Sequence, residues 1–82
     1  MELFIKRIQE VFNSEYFSIE KIYDIGDKYL FFIVSKEHKG RDDIMDPWYT
    51  VDKKTKKING FIVHENLDTF RKAMGSKPVY TA

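Results

Sequence analysis

Apolar positions near the start of the chain recur with helical spacing. Charged residues separate the apolar side chains of residues 2–13, which lie three and four positions apart: Phe4, Ile5, Ile8, Val11 and Phe12. Such a stripe predicts an amphipathic helix. Asn13 and Ser14 favour hydrogen bonds between their side chains and the local backbone, so we expect the helix to end there.

Two segments rich in aromatic and β-branched residues follow the helix. The first, residues 16–25, needs a bulge near Glu20 and Lys21 to keep its apolar side chains in phase. A tight turn at residues 24–27, which include a glycine, leads to the second segment, residues 28–36. The second strand is apolar on both faces, which is typical of a central strand buried from above and below. Residues 37–46 are charged, and we expect a loop there.

The next two strands are predicted to form a hairpin. Its first strand is expected to begin at Asp46-Pro47, because proline is tolerated at the first position of a strand. A four-residue loop, residues 53–56, joins the two strands. This loop length predicts four cross-strand pairs: Asp52 with Lys57, Val51 with Ile58, Tyr49 with Gly60, and Trp48 with Phe61.

Helical spacing returns in residues 64–74. Asn66 is the expected N-cap and Gly75 follows the last turn, while the apolar positions are Leu67, Phe70, Ala73 and Met74. The predicted fold is therefore α+β: a four-stranded antiparallel meander with an N-terminal and a C-terminal helix, both packed on one face. Residues 1–75 form one domain, and residues 76–82 are a tail that is either frayed or adds a short extra pairing.

Composition narrows the class of protein. The chain has 82 residues, a net charge of +1 and no cysteine, which fits one domain without disulfides, thiolate metal sites or a cysteine nucleophile. Its start has no basic segment, and no apolar run is long enough to span a membrane, so we expect a cytoplasmic protein. Abundant Lys and Ile with scarce Ala are typical of AT-rich coding, which favours a bacterial or phage source.

Groups suited to catalysis are few. The chain has two histidines, and none of the common nucleotide-binding or hydrolase motifs is present. His64 is interpreted as a packing or capping residue, and we expect neither enzymatic activity nor a cofactor. The loop with His38, Asp42, Asp43 and Asp46 carries groups that a divalent metal prefers, but it lacks the spacing of a calcium loop. A solvated charged loop is the favoured interpretation, and a metal-dependent enzyme is a third hypothesis.

The aromatic content favours a binding role. Seven phenylalanines, five tyrosines and one tryptophan are more than so small a chain is expected to bury. The leading hypothesis is a non-enzymatic protein-binding domain, monomeric or weakly dimeric. The sheet face with Trp48 and Phe61 is expected to be partly exposed, unless the tail at Val79–Tyr80 or the long loop covers it. The candidate partner contacts are Trp48, Phe61, Asp46, Lys53, Lys54 and Lys56.

Four lysines at one hairpin tip support an alternative. A basic tip beside exposed aromatic residues is one way in which sheet proteins bind single-stranded nucleic acid. The Lys53–Lys57 hairpin with neighbouring aromatic residues is therefore a candidate nucleic-acid-binding module. Against this, the net charge is nearly neutral, and lysines also protect hairpins from edge-to-edge pairing.

A resemblance adds a biological context. The segment DPWYTVDKKTKKI, residues 46–58, is followed by Phe61 and by the helix with Leu67 and Phe70. This hairpin and helix resemble the C-terminal part of short bacterial and prophage proteins, including toxin-immunity proteins of the SUKH type. In that hairpin the turn usually has glycine where this chain has Lys56. The resemblance implies binding or inhibition in a bacterial cytoplasm rather than catalysis, and it implies no particular functional residue.

Overall fold

Two helices and five strands make up the part of the chain that the structure, a computed structural model, describes: residues 1–35 and 48–82. In chain order they are α1 (Glu2–Val11), β1 (Phe17–Asp24), β2 (Lys28–Ser35), β3 (Trp48–Asp52), β4 (Ile58–Gly60), α2 (Leu67–Met74) and β5 (Tyr80–Thr81). A single 3-10 turn, Val63–Glu65, precedes α2. Neither helix in these ranges is long and apolar enough to cross a membrane.

The strands form one antiparallel sheet in the order β4-β3-β2-β1-β5. Strands β1 to β4 follow one another as the predicted meander, which confirms the α+β class. The bulge in β1 is also confirmed, because the pairing with β2 shifts between Ile19 and Lys21. Gly26, in the turn between β1 and β2, has φ +108°, a conformation that favours glycine. In the β3–β4 hairpin, Val51 pairs with Ile58 and Tyr49 with Gly60, as the loop length predicted.

The two helices lie on opposite faces of the sheet. Ile8 of α1 belongs to a buried cluster with Ile22, Phe31, Ile33 and Val51. Ala73 of α2 belongs to a second cluster, with Tyr23 and Leu30. Side chains of adjacent strand residues point to opposite faces, so Phe31 and Leu30 mark the two sides of β2. The prediction that both helices pack on one face is therefore wrong.

The composition of β2 explains this three-layer arrangement. Leu30 and Phe31 are both fully buried, although they face opposite ways. One helix can bury only one face of a sheet, and the opposite face then needs a cover of its own. Placing one helix on each side removes both apolar faces of the central strand from water.

The last residues of the chain add a fifth strand. The Val79 amide donates to the Ile22 carbonyl at 2.8 Å, and the Ala82 amide donates to the Glu20 carbonyl at 2.9 Å. Tyr80 pairs with Ile22 and packs against the α1 cluster. Of the two alternatives for the tail, the short extra pairing is the one observed.

Candidate protein-binding surfaces

Trp48 lies at the start of β3 and is half-buried beneath α2. The Phe70 ring of α2 meets the indole edge-on with centroids 5.2 Å apart, and the Phe32 ring lies 4.8 Å from it. Phe61 is also half-buried, and its amide donates to the Trp48 carbonyl at 2.9 Å. Trp48 is therefore partly exposed, as expected, although α2 covers part of this sheet face. The long loop, the other cover that was considered, lies outside the described residues. Tyr80 of the tail packs on the opposite face.

Within residues 1–35 and 48–82, the short helix α2 leaves part of its sheet face uncovered. With eight residues, α2 covers the region around Leu30 and ends at Met74. Beside its C-terminal end lies a groove of about 490 Å³, here called the Trp48 groove. Most of the side chains that line it are apolar, and two are charged. The lining residues are Glu20, Lys21, Tyr23, Phe32, Val34, Trp48 and Met74.

Four apolar residues of the Trp48 groove were not among the sequence-derived candidates: Tyr23, Phe32, Val34 and Met74. Phe32 pairs directly with Trp48, and Val34 lies two positions along the same face. The alternation of β2 therefore places Phe32 and Val34 on one face, but only the β3–β4 register was predicted, so nothing in the sequence linked that face to Trp48. The position of α2 on the sheet, which leaves them uncovered by any other described residue, is a tertiary feature that residue spacing does not report.

A second surface is formed by residues 53–57, here called the lysine tip. The Lys53 ammonium lies 2.8 Å from Asp24 Oδ1 and 4.8 Å from the centre of the Tyr29 ring. The hydrogen bond with Asp24 raises the pKa of Lys53, and the same bond, with help from the Gly26 amide, lowers the pKa of Asp24. The Lys53 amide also donates to the Asp27 carbonyl at 3.1 Å. These contacts join the β3–β4 hairpin to the β1–β2 turn.

The backbone of the lysine tip is held by local hydrogen bonds. The Asp52 carboxylate accepts the amides of Lys54 and Thr55 at 2.8 and 2.9 Å. The amides of Thr55 and Lys54 together hold the pKa of Asp52 below its ordinary value of 3.8. The Lys56 amide donates to the Asp52 carbonyl at 2.9 Å. Arg7 of α1 donates from Nε to the Lys56 carbonyl at 3.1 Å, so the helix also supports the turn.

Lys56 adopts a left-handed backbone conformation with φ +60°. It is the sole non-glycine residue with positive φ in the ranges 1–35 and 48–82. For a residue with a Cβ atom this conformation costs about 1–2 kcal/mol relative to the right-handed one. Glycine adopts this conformation without that cost.

The structure does not bring the sequence-derived candidates into one site. Trp48 and Phe61 lie at one end of the β3–β4 hairpin and the lysine tip lies at the other, roughly 15 Å away along the strand. The aromatic ring beside the lysine tip, Tyr29, is half-buried and packs edge-on against Phe4. Asp46 lies outside the described residues, as do His38, Asp42 and Asp43 of the candidate metal loop. Among the described residues no cluster of metal-ligating side chains is found.

The chain matches no protein-family model, and neither a curated protein nor a solved structure shows significant similarity to it.

Proposed function

We propose that this chain is a non-enzymatic protein-binding domain of a bacterial or phage cytoplasmic protein, and that it takes an apolar segment of its partner into the Trp48 groove. The groove itself is the observation that carries the proposal. It combines tryptophan, tyrosine, phenylalanine and methionine side chains, the types enriched in the centres of protein interfaces.

The chemistry of the lining favours a protein segment over a small metabolite. Sites for small molecules are also mostly apolar, but they add a few polar groups that converge on the ligand and fix its orientation. In the Trp48 groove the charged groups are Glu20 and Lys21, which are neighbours on β1, while the rest of the lining is mostly apolar. An aliphatic or aromatic side chain on a partner needs burial and packing but no fixed polar contacts, so it suits this lining.

An inhibitory or immunity-like role is the biological form of this proposal. Small size and the resemblance of the hairpin and helix to SUKH-type proteins support it. Inhibition by binding requires an exposed contact surface and no catalytic group. The Trp48 groove supplies that contact.

Selection of peptides against the intact chain tests the proposal. Random peptides would be selected from a display library, synthesised, and titrated by calorimetry and by the emission of Trp48, which is the single tryptophan of the chain. We expect apolar peptides that change the Trp48 emission, because the indole lines the groove. Recovery of no such peptide would contradict the proposal.

Matched charge insertions locate the binding surface. Val34→Asp places a carboxylate in the groove, whereas Val11→Asp places one at an exposed position of α1, on the other side of the sheet. Val34→Asp should weaken peptide binding at least tenfold, or about 1.4 kcal/mol, while Val11→Asp should leave it unchanged. Met74→Glu, at the exposed rim, provides the same test if Val34→Asp unfolds the chain. Equal binding by the groove variants and the control would refute the proposal.

Nucleic-acid binding through the lysine tip is less well supported. Proteins that bind single strands stack the bases on exposed aromatic rings. Within the described residues, the exposed aromatic side chains are Tyr16 and Phe17, which lie where β1 begins, and the tip adjoins the other end of β1. The lysine tip therefore lacks an adjacent stacking surface.

A further inference from the structure

The Lys56 side chain has no structural use in the described part of the chain. Its amide and carbonyl make the hydrogen bonds to Asp52 and Arg7, and glycine would make both. The side chain is exposed and forms no hydrogen bond or ion pair with the described residues. A side chain kept in an unfavourable backbone conformation without an internal contact points to a role outside the fold.

Protection against edge pairing does not explain the lysines of the tip. Lysines protect a sheet when they lie along an edge strand, where another chain would pair. Lys54 and Lys56 lie in the turn, beyond the paired residues of β3 and β4. Lys57 alone lies next to the start of the edge strand β4.

Two carboxylates near the tip already have local hydrogen-bonding roles. Asp24 accepts from Lys53 and from the Gly26 amide, and Asp52 accepts from two amides of the turn. The remaining three lysines, Lys54, Lys56 and Lys57, are exposed and form no ion pair with a described residue. The hydrogen-bonded backbone therefore presents three ammonium groups from a turn that is already ordered. An ordered turn loses less conformational entropy on binding than a flexible one.

We infer that the lysine tip docks an acidic segment of a protein partner, with Lys56 as its central contact. This inference rests on the proposed protein-binding function and names a second contact surface for it. Asp27 and Asp52 lie beside the lysines and would repel a continuous phosphate backbone, whereas separate carboxylates on a peptide can avoid them. The absence of an exposed aromatic ring beside the tip, within the described residues, also favours a peptide over a single-stranded nucleic acid.

Two probes of similar charge test the inference on the full chain. A dye-labelled peptide of ten glutamates, each separated from the next by one glycine, and a ten-nucleotide thymidine strand with the same dye would be titrated by fluorescence anisotropy at about 50 and 150 mM salt. We expect the peptide to bind more tightly than the strand at both salt concentrations. Tighter binding of the strand at both would overturn the inference in favour of nucleic acid.

Substitutions at the tip separate charge from backbone strain. Lys56→Gln and Lys56→Gly should each weaken peptide binding by about two- to fivefold, the range for an exposed ion pair, and Lys56→Arg should restore it. Replacing Lys54, Lys56 and Lys57 together by glutamine should weaken binding at least tenfold. Lys77→Gln, at an exposed position outside the tip, is the control and should have no effect. An unchanged affinity in the triple variant would refute the inference.

The emission of Trp48 distinguishes failure here from failure of the Trp48 groove. The tip and the groove lie at opposite ends of the β3–β4 hairpin, so peptide bound at the tip should leave the tryptophan emission unchanged. If the triple variant has no effect but the selected apolar peptides still require Val34, the groove stands and the tip does not. If only the acidic peptide binds, and binds at the tip, the groove is refuted and the tip stands.

Discussion

Replacing Lys56 by glycine should stabilise the protein. Relief of the left-handed conformation at φ +60° is worth about 1–2 kcal/mol, and the greater freedom of glycine in the unfolded chain returns about 0.4–1 kcal/mol. Both backbone hydrogen bonds of residue 56 are retained, and the exposed side chain has no hydrogen bond or ion pair with a described residue to lose. The net gain is about 1 kcal/mol, which corresponds to a rise in Tm of about 4–8 °C for a domain of this size.

The matched control is Lys54→Gly. It removes the same charge from the same turn, but residue 54 lies outside the positive-φ region. Glycine there should only add freedom to the unfolded chain, so the free energy of unfolding should fall by about 0.5–1 kcal/mol. Urea and thermal unfolding of both variants would be compared with the wild type. If Lys56→Gly is no more stable than Lys54→Gly, the strain at residue 56 is absent and the reasoning about its side chain fails.

Three further predictions address the core, the carboxylates and the fifth strand. Phe31→Ala should lower the free energy of unfolding by about 3–5 kcal/mol, because Phe31 is 0% exposed. Phe32→Ala should lower it clearly less, because Phe32 is half-buried in the groove. Equal losses for the two variants in urea unfolding would contradict this difference. The pKa values of Asp24 and Asp52 are lowered in the folded protein, so both carboxylates stabilise the fold at pH values above their ordinary pKa of 3.8. This contribution is lost as the pH falls through the folded-state pKa values. NMR titration should give a pKa below 3.8 for both residues. Deleting residues 79–82 should cost at least about 2 kcal/mol, because the backbone hydrogen bonds of Val79 and Ala82, the β1–β5 pairing and the packed Tyr80 ring are all lost. An unchanged Tm would show that β5 adds no stability.

Local sequence signals predicted most of the sheet. The loop length of the β3–β4 hairpin placed Trp48 opposite Phe61 and Val51 opposite Ile58, because a short loop leaves little choice of register. The broken alternation around Glu20 predicted the bulge. Both features are set by neighbouring residues, so spacing along the chain was enough to find them.

The position of the helices could not be obtained in the same way. An apolar stripe shows which side of a helix is buried but not which face of the sheet it meets. The decisive signal was the two-sided apolar character of β2, where Leu30 and Phe31 are both buried. The predicted burial of β2 from above and below was correct. It already required a cover on each face of the sheet, and α1 and α2 provide one each.

The candidate site was predicted only in part. Trp48 was identified as a surface residue, and it does line a groove, but α2 covers much of the face on which it lies. The lysine tip was identified by its charge, whereas the left-handed conformation of Lys56 and the support from Arg7 depend on the folded chain. Arg7 and Lys56 are far apart in sequence, and no local spacing links them.

The sheet order also has a consequence for the order of folding. Neighbouring strands of the β1–β4 meander pair across loops, whereas β5 reaches β1 only after the whole hairpin and α2 have intervened. Closing a longer loop costs more entropy before any contact forms, so β5 should dock last and detach first. The amides of Val79 and Ala82, which donate to β1, should then exchange with deuterium faster than those shared by β1 and β2. Each opening would briefly expose the backbone edge of β1 to pairing with another chain.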